Sequence, residues 1–179
     1  MTIVPHHVEI RFHIFPVSWN FMPKVDLSDA DCRLLRALQR NGRASTQDLA
    51  ETSGLTSSPA WRRIKRLEDL GVIASHVALL DRHKLGLTVL AYVQVSLTDH
   101  TEPTVSRFDA FVQGNPQVME CARVTGSFDY MVKVVAADAE GLETFLMRHL
   151  LSLGIVRTAS TSFVLRQIKA TTELPLDQS

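Results

Sequence analysis

The sequence predicts an α+β fold in which a winged helix-turn-helix domain is followed by a ferredoxin-like βαββαβ domain. Two observations support this prediction. Residues 45–73 indicate two short helices joined by a tight turn, and the second helix is rich in cations. From Leu87 the pattern changes to strand, helix, strand, strand, helix, strand, which is the element order of a split βαβ unit.

The second of the two short helices has the features of a helix that enters the major groove of DNA. A hydroxyl residue, Thr56 or Ser57, can cap its N-terminus, and Gly71 can end it. Apolar residues recur on one face, whereas small hydroxyls and cations occupy the other. A solvated basic helix would share the charges, but the short turn and the preceding apolar helix favour DNA. The predicted contacts are Ser57, Ser58, Arg62, Arg63, Lys65 and Arg66.

Two further helices and a wing complete the first predicted domain. Ser28–Gln39 is predicted as a helix because Ser28 can cap it and Asp31 stands at the capping-box position. The first helix of the motif is predicted over 46–52. Weak alternation over 71–80 indicates a small β-wing.

The second predicted domain has one sheet with helices on one face only. Strands are expected over 87–97, 118–124, 130–135 and 160–169, and helices over 104–113 and 139–151. The uncovered face is a candidate surface for pairing with another copy of the chain. The candidate residues on that face are Tyr92, Val93, Val132 and Val134.

Composition limits the class of protein. The 179 residues carry a formal net charge of zero, which argues against a protein that coats nucleic acid non-specifically. No apolar run approaches the length of a membrane span, and a cytoplasmic protein is expected. Cys32 and Cys121 fall in apolar segments, so both are predicted to be reduced core residues. The sequence has no recognisable nucleophile triad, phosphate loop or metal cluster, and no catalytic residue, metal or cofactor is expected.

The predicted boundaries divide the chain into five segments. Residues 1–23 do not share the pattern that follows, and Met22 begins a stretch typical of a protein start, so we expect an upstream extension there. The remaining segments are the helix-turn-helix domain (24–80), a linker (81–86), the ferredoxin-like domain (87–170) and a C-terminal tail (171–179).

Over residues 24 to about 176 the chain resembles the Lrp/AsnC family of bacterial and archaeal regulators. In the first half the resemblance rests on VDLSDADCRLLRALQRNGRAS, LAETSGLTSSPAWRRIKRLEDLGVI and LLDRHKLGL. In the second half it rests on VMECARVTGSFDYMVKV and TSFVLRQIKATTELPL. Two sets of motifs in the right order make the match specific.

The resemblance implies a regulator of transcription that binds double-stranded DNA and senses a small molecule, expected to be an amino acid. It also implies homodimers joined through the sheets, assembly of dimers into octamers, and an effector at the contact between dimers. Carried onto this chain, the effector-binding residues are Gly126, Ser127, Asp129, Tyr130, Ser160 and Thr161.

Four features depart from the family pattern. Ser127 replaces a frequent acidic residue, Leu153-Gly154-Ile155 replaces a Pro-Gly pair, Ala159 replaces the first threonine of Thr-x-Thr, and Trp61 replaces a common leucine. Two alternatives follow. One is an enzyme similar to the siroheme decarboxylases, which share the two-domain layout, with His76, His83 and His149 as candidates. The other is an architectural DNA binder without a ligand.

Overall fold

The structure is a computed structural model that describes residues 25–176, and the extension expected over residues 1–23 lies outside them. The chain divides into two compact units. The first runs to Val77 and also includes the segment from Thr172, whereas the second comprises Ala78–Thr171. Each unit is described by itself below.

The described residues of the first unit form three helices, which confirms the predicted helix-turn-helix arrangement. These are α1 (Asp29–Arg40), α2 (Thr46–Ser53) and α3 (Ser57–Asp69). The first two begin with complete capping boxes, Ser28 with Asp31 and Ser45 with Asp48, because each serine and its carboxylate satisfy each other's backbone amides. A small apolar core joins the three helices through Leu34, Leu49, Ala50 and Ala60.

The turn between α2 and α3 is tight because Gly54 adopts φ 70°, a left-handed conformation that favours glycine. The amide of Leu55 then donates to the carbonyl of Ala50, which closes the end of α2. Thr56 occupies the N-cap position of α3, as expected, but its hydroxyl accepts no capping hydrogen bond. The first amides of α3 therefore face outward without a side-chain partner from Thr56.

The predicted β-wing is not formed as a strand pair within residues 25–176. Residues 71–88 follow α3 without a regular strand. Val77, Leu79 and Leu80 are each more than 70% exposed, so no neighbouring segment of the described chain packs on them. An isolated two-stranded ribbon gains little stability in water, which explains why weak alternation alone does not produce one.

The C-terminal segment, predicted only as a tail, contacts helix α1. Residues 173–176 are here called the C-terminal strap. The side-chain amide of Gln39 forms two hydrogen bonds with the backbone of Leu174. Its Oε1 accepts from the Leu174 amide at 2.6 Å, and its Nε2 donates to the Leu174 carbonyl at 3.2 Å. Arg40 pairs with Glu173, and Arg36 donates to the carbonyl of Leu176. One side-chain amide can form both bonds because it carries an acceptor oxygen and two donor hydrogens.

The second unit confirms the predicted βαββαβ order. Its strands are β1 (Val89–Leu97), β2 (Val118–Arg123), β3 (Tyr130–Ala136) and β4 (Val156–Phe163). They form one antiparallel sheet in the order β2-β3-β1-β4. Two helices cover one face: α4 (Glu102–Gly114) and α5 (Ala139–Thr144), the latter continuing as a π-helix over Phe145–Leu150 and a 3₁₀ turn over Leu151–Leu153.

The last strand lies earlier than predicted. We expected it over 160–169, and it spans Val156–Phe163. It is an edge strand whose outer positions are hydroxyl residues, so it has little of the apolar alternation that identifies a buried strand. The apolar residues that suggested the later position, Leu165 and Ile168, are 97% and 82% exposed.

The predicted uncovered face is wrong for three of its four residues. Val93, Val132 and Val134 are buried against Phe108, Leu142 and Phe145 on the helix side of the sheet. Tyr92 is 36% exposed and lies on the opposite side, because side chains alternate along a strand. Apolar residues occupy both faces of β1 and β3, so their pattern alone does not reveal which face the helices cover.

We predict that Gln39→Ala releases the C-terminal strap. Loss of its two hydrogen bonds should lower the free energy of local opening at the Leu174 amide by about 1 kcal/mol. Hydrogen exchange followed by mass spectrometry measures this opening. Gln47→Ala is the matched control, since Gln47 contacts only Glu51 within α2 among the described residues. Equal exchange of the strap in both variants would contradict the prediction.

Candidate DNA interface and effector site

The exposed face of α3 begins with two hydroxyl residues. Ser57 and Ser58 are both exposed in the first turn, where the backbone amides point away from the helix. Arg62 lies one turn after Ser58 on the same face and is also exposed. None of the three has a hydrogen-bond or ion-pair partner among residues 25–176. This part of α3 is therefore open to an external ligand.

Two of the predicted DNA-contacting arginines are held by Asp31. The Arg63 guanidinium lies 3.0 Å from one carboxylate oxygen of Asp31, and the Arg66 guanidinium lies 3.6 Å from the other. Arg63 also donates to the Ser28 hydroxyl at 3.0 Å. Asp31 is only 2% exposed, so its charge is compensated within the fold. Helix α3 is thus bonded to the N-terminus of α1.

The pKa of Asp31 is set by two opposing effects. Burial disfavours the charged form and would raise the pKa, but hydrogen bonds from Ser28 and Arg63 outweigh burial and lower it. The carboxylate therefore stays ionised throughout the neutral range. The sequence indicated Asp31 only as a capping residue, because an arginine 32 positions later gives no local signal.

Lys65 has partners on its own helix. Its ammonium lies 3.1 Å from Asp69 and 3.8 Å from Glu68, and the Asp69 hydrogen bond raises the pKa of Lys65. Pairs at this spacing on an exposed helix contribute only a few tenths of a kcal/mol. The four predicted cations thus differ in their partners. Arg62 has no partner within the described chain, and Lys65 is weakly paired. Arg63 and Arg66 share the buried carboxylate of Asp31.

The candidate effector loop joins β2 to β3 and includes Gly126, Ser127 and Asp129. Gly126 has φ 128°, which only glycine adopts readily, and Ser127 is exposed beside it. The Asp129 carboxylate is half-buried and accepts from the Leu97 amide at 2.8 Å. Its other oxygen lies 2.9 Å from Nε2 of His100. Sequence analysis missed His100, which lies in the connection between β1 and α4.

These contacts lower the pKa of Asp129. Burial raises it, but the Leu97 amide, His100 and the positive charge of Arg157 together reverse that effect. A ligand ammonium at Asp129 would therefore meet a carboxylate that already has two partners in the fold.

The structure does not bring all six predicted effector residues to one surface. Tyr130 is 4% exposed and packs under α4, with its ring centroid 4.5 Å from that of Phe108. Thr161 pairs with Val93 on the helix side of the sheet, whereas Ser160, as its neighbour in the strand, faces the other side. Gly126, Ser127 and Asp129 remain together on the loop.

Comparison with known proteins decides the family. Residues 90–174 match the family model described as the Lrp/AsnC ligand binding domain, and residues 27–74 match the winged helix-turn-helix DNA-binding model. The chain belongs to the Lrp/AsnC family. The wing of that description has no strand pair in this chain, but the three helices of the motif are present.

Relatives align along nearly their whole length. The DNA-binding transcriptional activator DecR of Escherichia coli (strain K12) is 38% identical over 84% of this chain and 99% of its own length. The Bkd operon transcriptional regulator of Pseudomonas aeruginosa is 35% identical over the same shares. A crystal structure of a Neisseria meningitidis transcriptional regulator in complex with L-Met superimposes with a TM-score of 0.83 at 36% identity, over 85% of this chain and 98% of that chain.

This Lrp/AsnC protein is accordingly a DNA-binding transcriptional regulator with a ligand-binding domain, and not an enzyme. Of the histidines considered for an enzyme, His76 contacts Glu68, and His83 and His149 lie on separate elements of the second unit. Within residues 25–176 no three His, Cys, Asp or Glu side chains are grouped to hold a metal ion. No helix in that range is long and apolar enough to cross a membrane.

We predict that Asp31→Asn lowers the local unfolding free energy of the first unit by about 2 kcal/mol at neutral pH. Because the folded pKa of Asp31 is depressed, its stabilising effect is present above the unfolded value, near pH 4, and is lost as the pH falls. The difference between wild type and variant should therefore shrink on acidification.

Hydrogen exchange of the α1 amides, at neutral pH and again well below pH 4, measures this difference. Asp29→Asn is the matched control, since Asp29 is exposed in the same first turn of α1. A loss of stability that is equal at both pH values would show that Asp31 does not act through its charge.

Proposed function

We propose that this protein regulates transcription by placing the exposed face of α3 in the major groove of double-stranded DNA. The supporting observation is that Ser57, Ser58 and Arg62 share one exposed face and have no partner within the described chain. The outward-facing amides beside Ser57 suit a DNA phosphate, and Arg62 suits a guanine edge or a phosphate. Arg63, Lys65 and Arg66 supply further positive charge near the backbone.

The ion pairs of Asp31 give Arg63 and Arg66 a distinct role in this proposal. Arg63 is fixed by two hydrogen bonds, so it serves mainly to hold α3 in position. Arg66 lies farther from Asp31 and half of its side chain is exposed, which leaves its guanidinium accessible to a phosphate. A dimer with two copies of α3 would recognise an approximate inverted repeat.

We expect Arg62→Ala to weaken operator binding by about 1–3 kcal/mol if Arg62 reads a guanine edge. Binding to unrelated DNA would then change little, and discrimination would relax at one base pair. Fluorescence anisotropy with operator and scrambled duplexes, over a range of salt concentrations, separates base from phosphate contacts.

Arg107→Ala is the matched control, because it removes an equal charge from an exposed position on α4. A uniform loss on all duplexes, with a shallower salt dependence, would make Arg62 a phosphate contact. No loss on any duplex would contradict its place in the interface.

We propose an amino acid as the effector, bound beside Gly126, Ser127 and Asp129 of the loop. Support comes from the acidic loop residue, from the room that glycine leaves for a ligand, and from the related Neisseria regulator whose structure contains L-Met. Ser160 and Thr161 belong to the predicted set but lie on opposite faces of β4, so we propose that only one of them contacts the ligand. In line with the family expectation, the site is proposed at a contact between dimers.

The proposed assembly uses the sheet face opposite the helices. Tyr92 and Met119 are exposed there, and they offer apolar surface for a homodimer, with octamers formed by further contacts. We propose a cytoplasmic location for this assembly. Sedimentation velocity with and without the effector tests the assembly states.

A thermal-shift screen of the full chain against the twenty amino acids should identify the effector. A ligand that binds only the folded protein at 100 times its Kd adds about 2.7 kcal/mol of stability. We expect Asp129→Asn to reduce the shift, because the variant loses the charge that would attract the ammonium group.

Asp81→Asn is the control, as Asp81 is an exposed residue of the connection before β1. An unchanged shift in Asp129→Asn would place the effector elsewhere. If no amino acid shifted the melting temperature, the proposal of an amino-acid effector would be contradicted. The proposal for the DNA interface would still stand.

A further inference from the structure

A cleft lies between helix α4 and the strands β2 and β3, on the helix side of the sheet. It has a volume of about 340 Å³, within the usual range for small-molecule sites. Val105 and Val112 of α4 form an apolar wall, and Cys121 of β2 lies opposite. The polar lining consists of Asp109, Gln113, Arg123 and Tyr130.

Tyr130 contributes a buried hydroxyl that has no internal hydrogen-bond partner. The side chain is 4% exposed, and its hydroxyl oxygen forms no hydrogen bond with any described residue. Buried polar groups of native proteins nearly always have a partner, and a missing one calls for a specific explanation. Since Tyr130 also lines the cleft, a bound molecule can supply the partner.

Ionisable side chains lie near the Tyr130 side chain. The Arg123 guanidinium carbon lies 5.9 Å from the centre of the Tyr130 ring, on the neighbouring strand. Burial raises the pKa of Tyr130. Arg123 opposes that rise, whereas Asp109, Cys121 and Asp129 add to it. The phenol is therefore neutral at physiological pH and acts as a hydrogen-bond donor.

Cys121 lines the cleft with an uncharged thiol. Burial, reinforced by the negative charge of Asp109, raises the pKa of its thiol to about 11. A thiol of this kind is a small apolar group rather than a nucleophile. The cleft thus combines one cation, one hydroxyl donor and an apolar wall, and Asp109 stands at its exposed edge.

We propose that this cleft is a second small-molecule site, which binds a carboxylic acid with a short aliphatic chain. The carboxylate accepts from the Tyr130 hydroxyl and pairs with Arg123, while the chain packs on Val105 and Val112. Asp109 favours an amino acid over the corresponding 2-oxo acid. This site differs from the proposed effector loop in its contacts: Asp129 accepts from the Leu97 amide, whereas the next residue, Tyr130, packs against Phe108 beneath α4.

Ring-labelled tyrosine NMR of the full chain tests the site directly, because the sequence contains only two tyrosines. The probes are L-leucine and 4-methyl-2-oxopentanoate, which share one skeleton and differ in the amino group. We expect both to shift the Tyr130 resonances and to leave those of Tyr92 unchanged, with L-leucine binding more tightly. No shift of Tyr130 by either probe at millimolar concentration would overturn the proposal.

Variants then separate this site from the effector loop. Tyr130→Phe should weaken binding at the cleft about tenfold, the value of one hydrogen bond to a charged group, and Tyr92→Phe is the matched control. Asp109→Asn should weaken L-leucine alone. Asp129→Asn should leave the cleft unaffected, so that failure of the loop proposal and failure of this one give different results.

Arg123→Gln provides an independent variant should Tyr130→Phe fail to fold. It should weaken both probes about tenfold, as judged by the concentration that half-saturates a methyl resonance of Val105 or Val112. Affinities that are equal in wild type, Tyr130→Phe and Arg123→Gln would overturn the proposal. Loss of both probes in Asp129→Asn would show instead that they bind only at the loop.

Discussion

The buried carboxylate of Asp31 is the interaction on which the DNA-binding unit depends. One side chain completes the capping box of α1 and also binds two arginines of α3. The apolar core of this unit is small, and alone it would leave the orientation of α3 weakly determined. A hydrogen-bonded ion pair is directional, so it restricts that orientation more than apolar contacts do. Removing Asp31 would leave Arg63 with only its bond to the Ser28 hydroxyl, and the helix that carries Ser58 and Arg62 would lose its ion pairs to α1.

The regulatory unit depends on the alternation of side chains at the start of β3. Asp129 contacts the Leu97 amide and His100, whereas the next residue, Tyr130, is buried beneath α4. A short segment thus links a polar loop with the interior of the sheet. Gly126 gives the loop the backbone conformation that this arrangement requires.

Sequence reasoning succeeded where the signals are local. The helices were predictable from serine caps, helical periodicity and glycine turns. The fold of the second unit was predictable from the order of its strands and helices. It failed where the answer depends on tertiary contacts. The partner of Arg63 lies 32 residues away, and the face of Val93 is decided by helices elsewhere in the chain. The polar edge strand β4 lacked the apolar pattern that would have located it. The loop motif indicated Asp129 and Tyr130 together, but it gave no sign that their side chains have different surroundings.

The neutral net charge and the ion pairs of α3 have a common consequence for DNA recognition. Asp31 offsets part of the positive charge of Arg63 and Arg66, which lowers the attraction of this face for any phosphate backbone. Non-specific binding is mostly electrostatic, so it is weakened more than binding that also uses base edges. A regulator gains specificity when its non-specific affinity falls, since the genome offers a great excess of competing sites. On this argument the pairing of α3 cations with acidic residues is compatible with DNA binding and would increase its selectivity, and in the proposed interface Arg62 would make the discriminating contact.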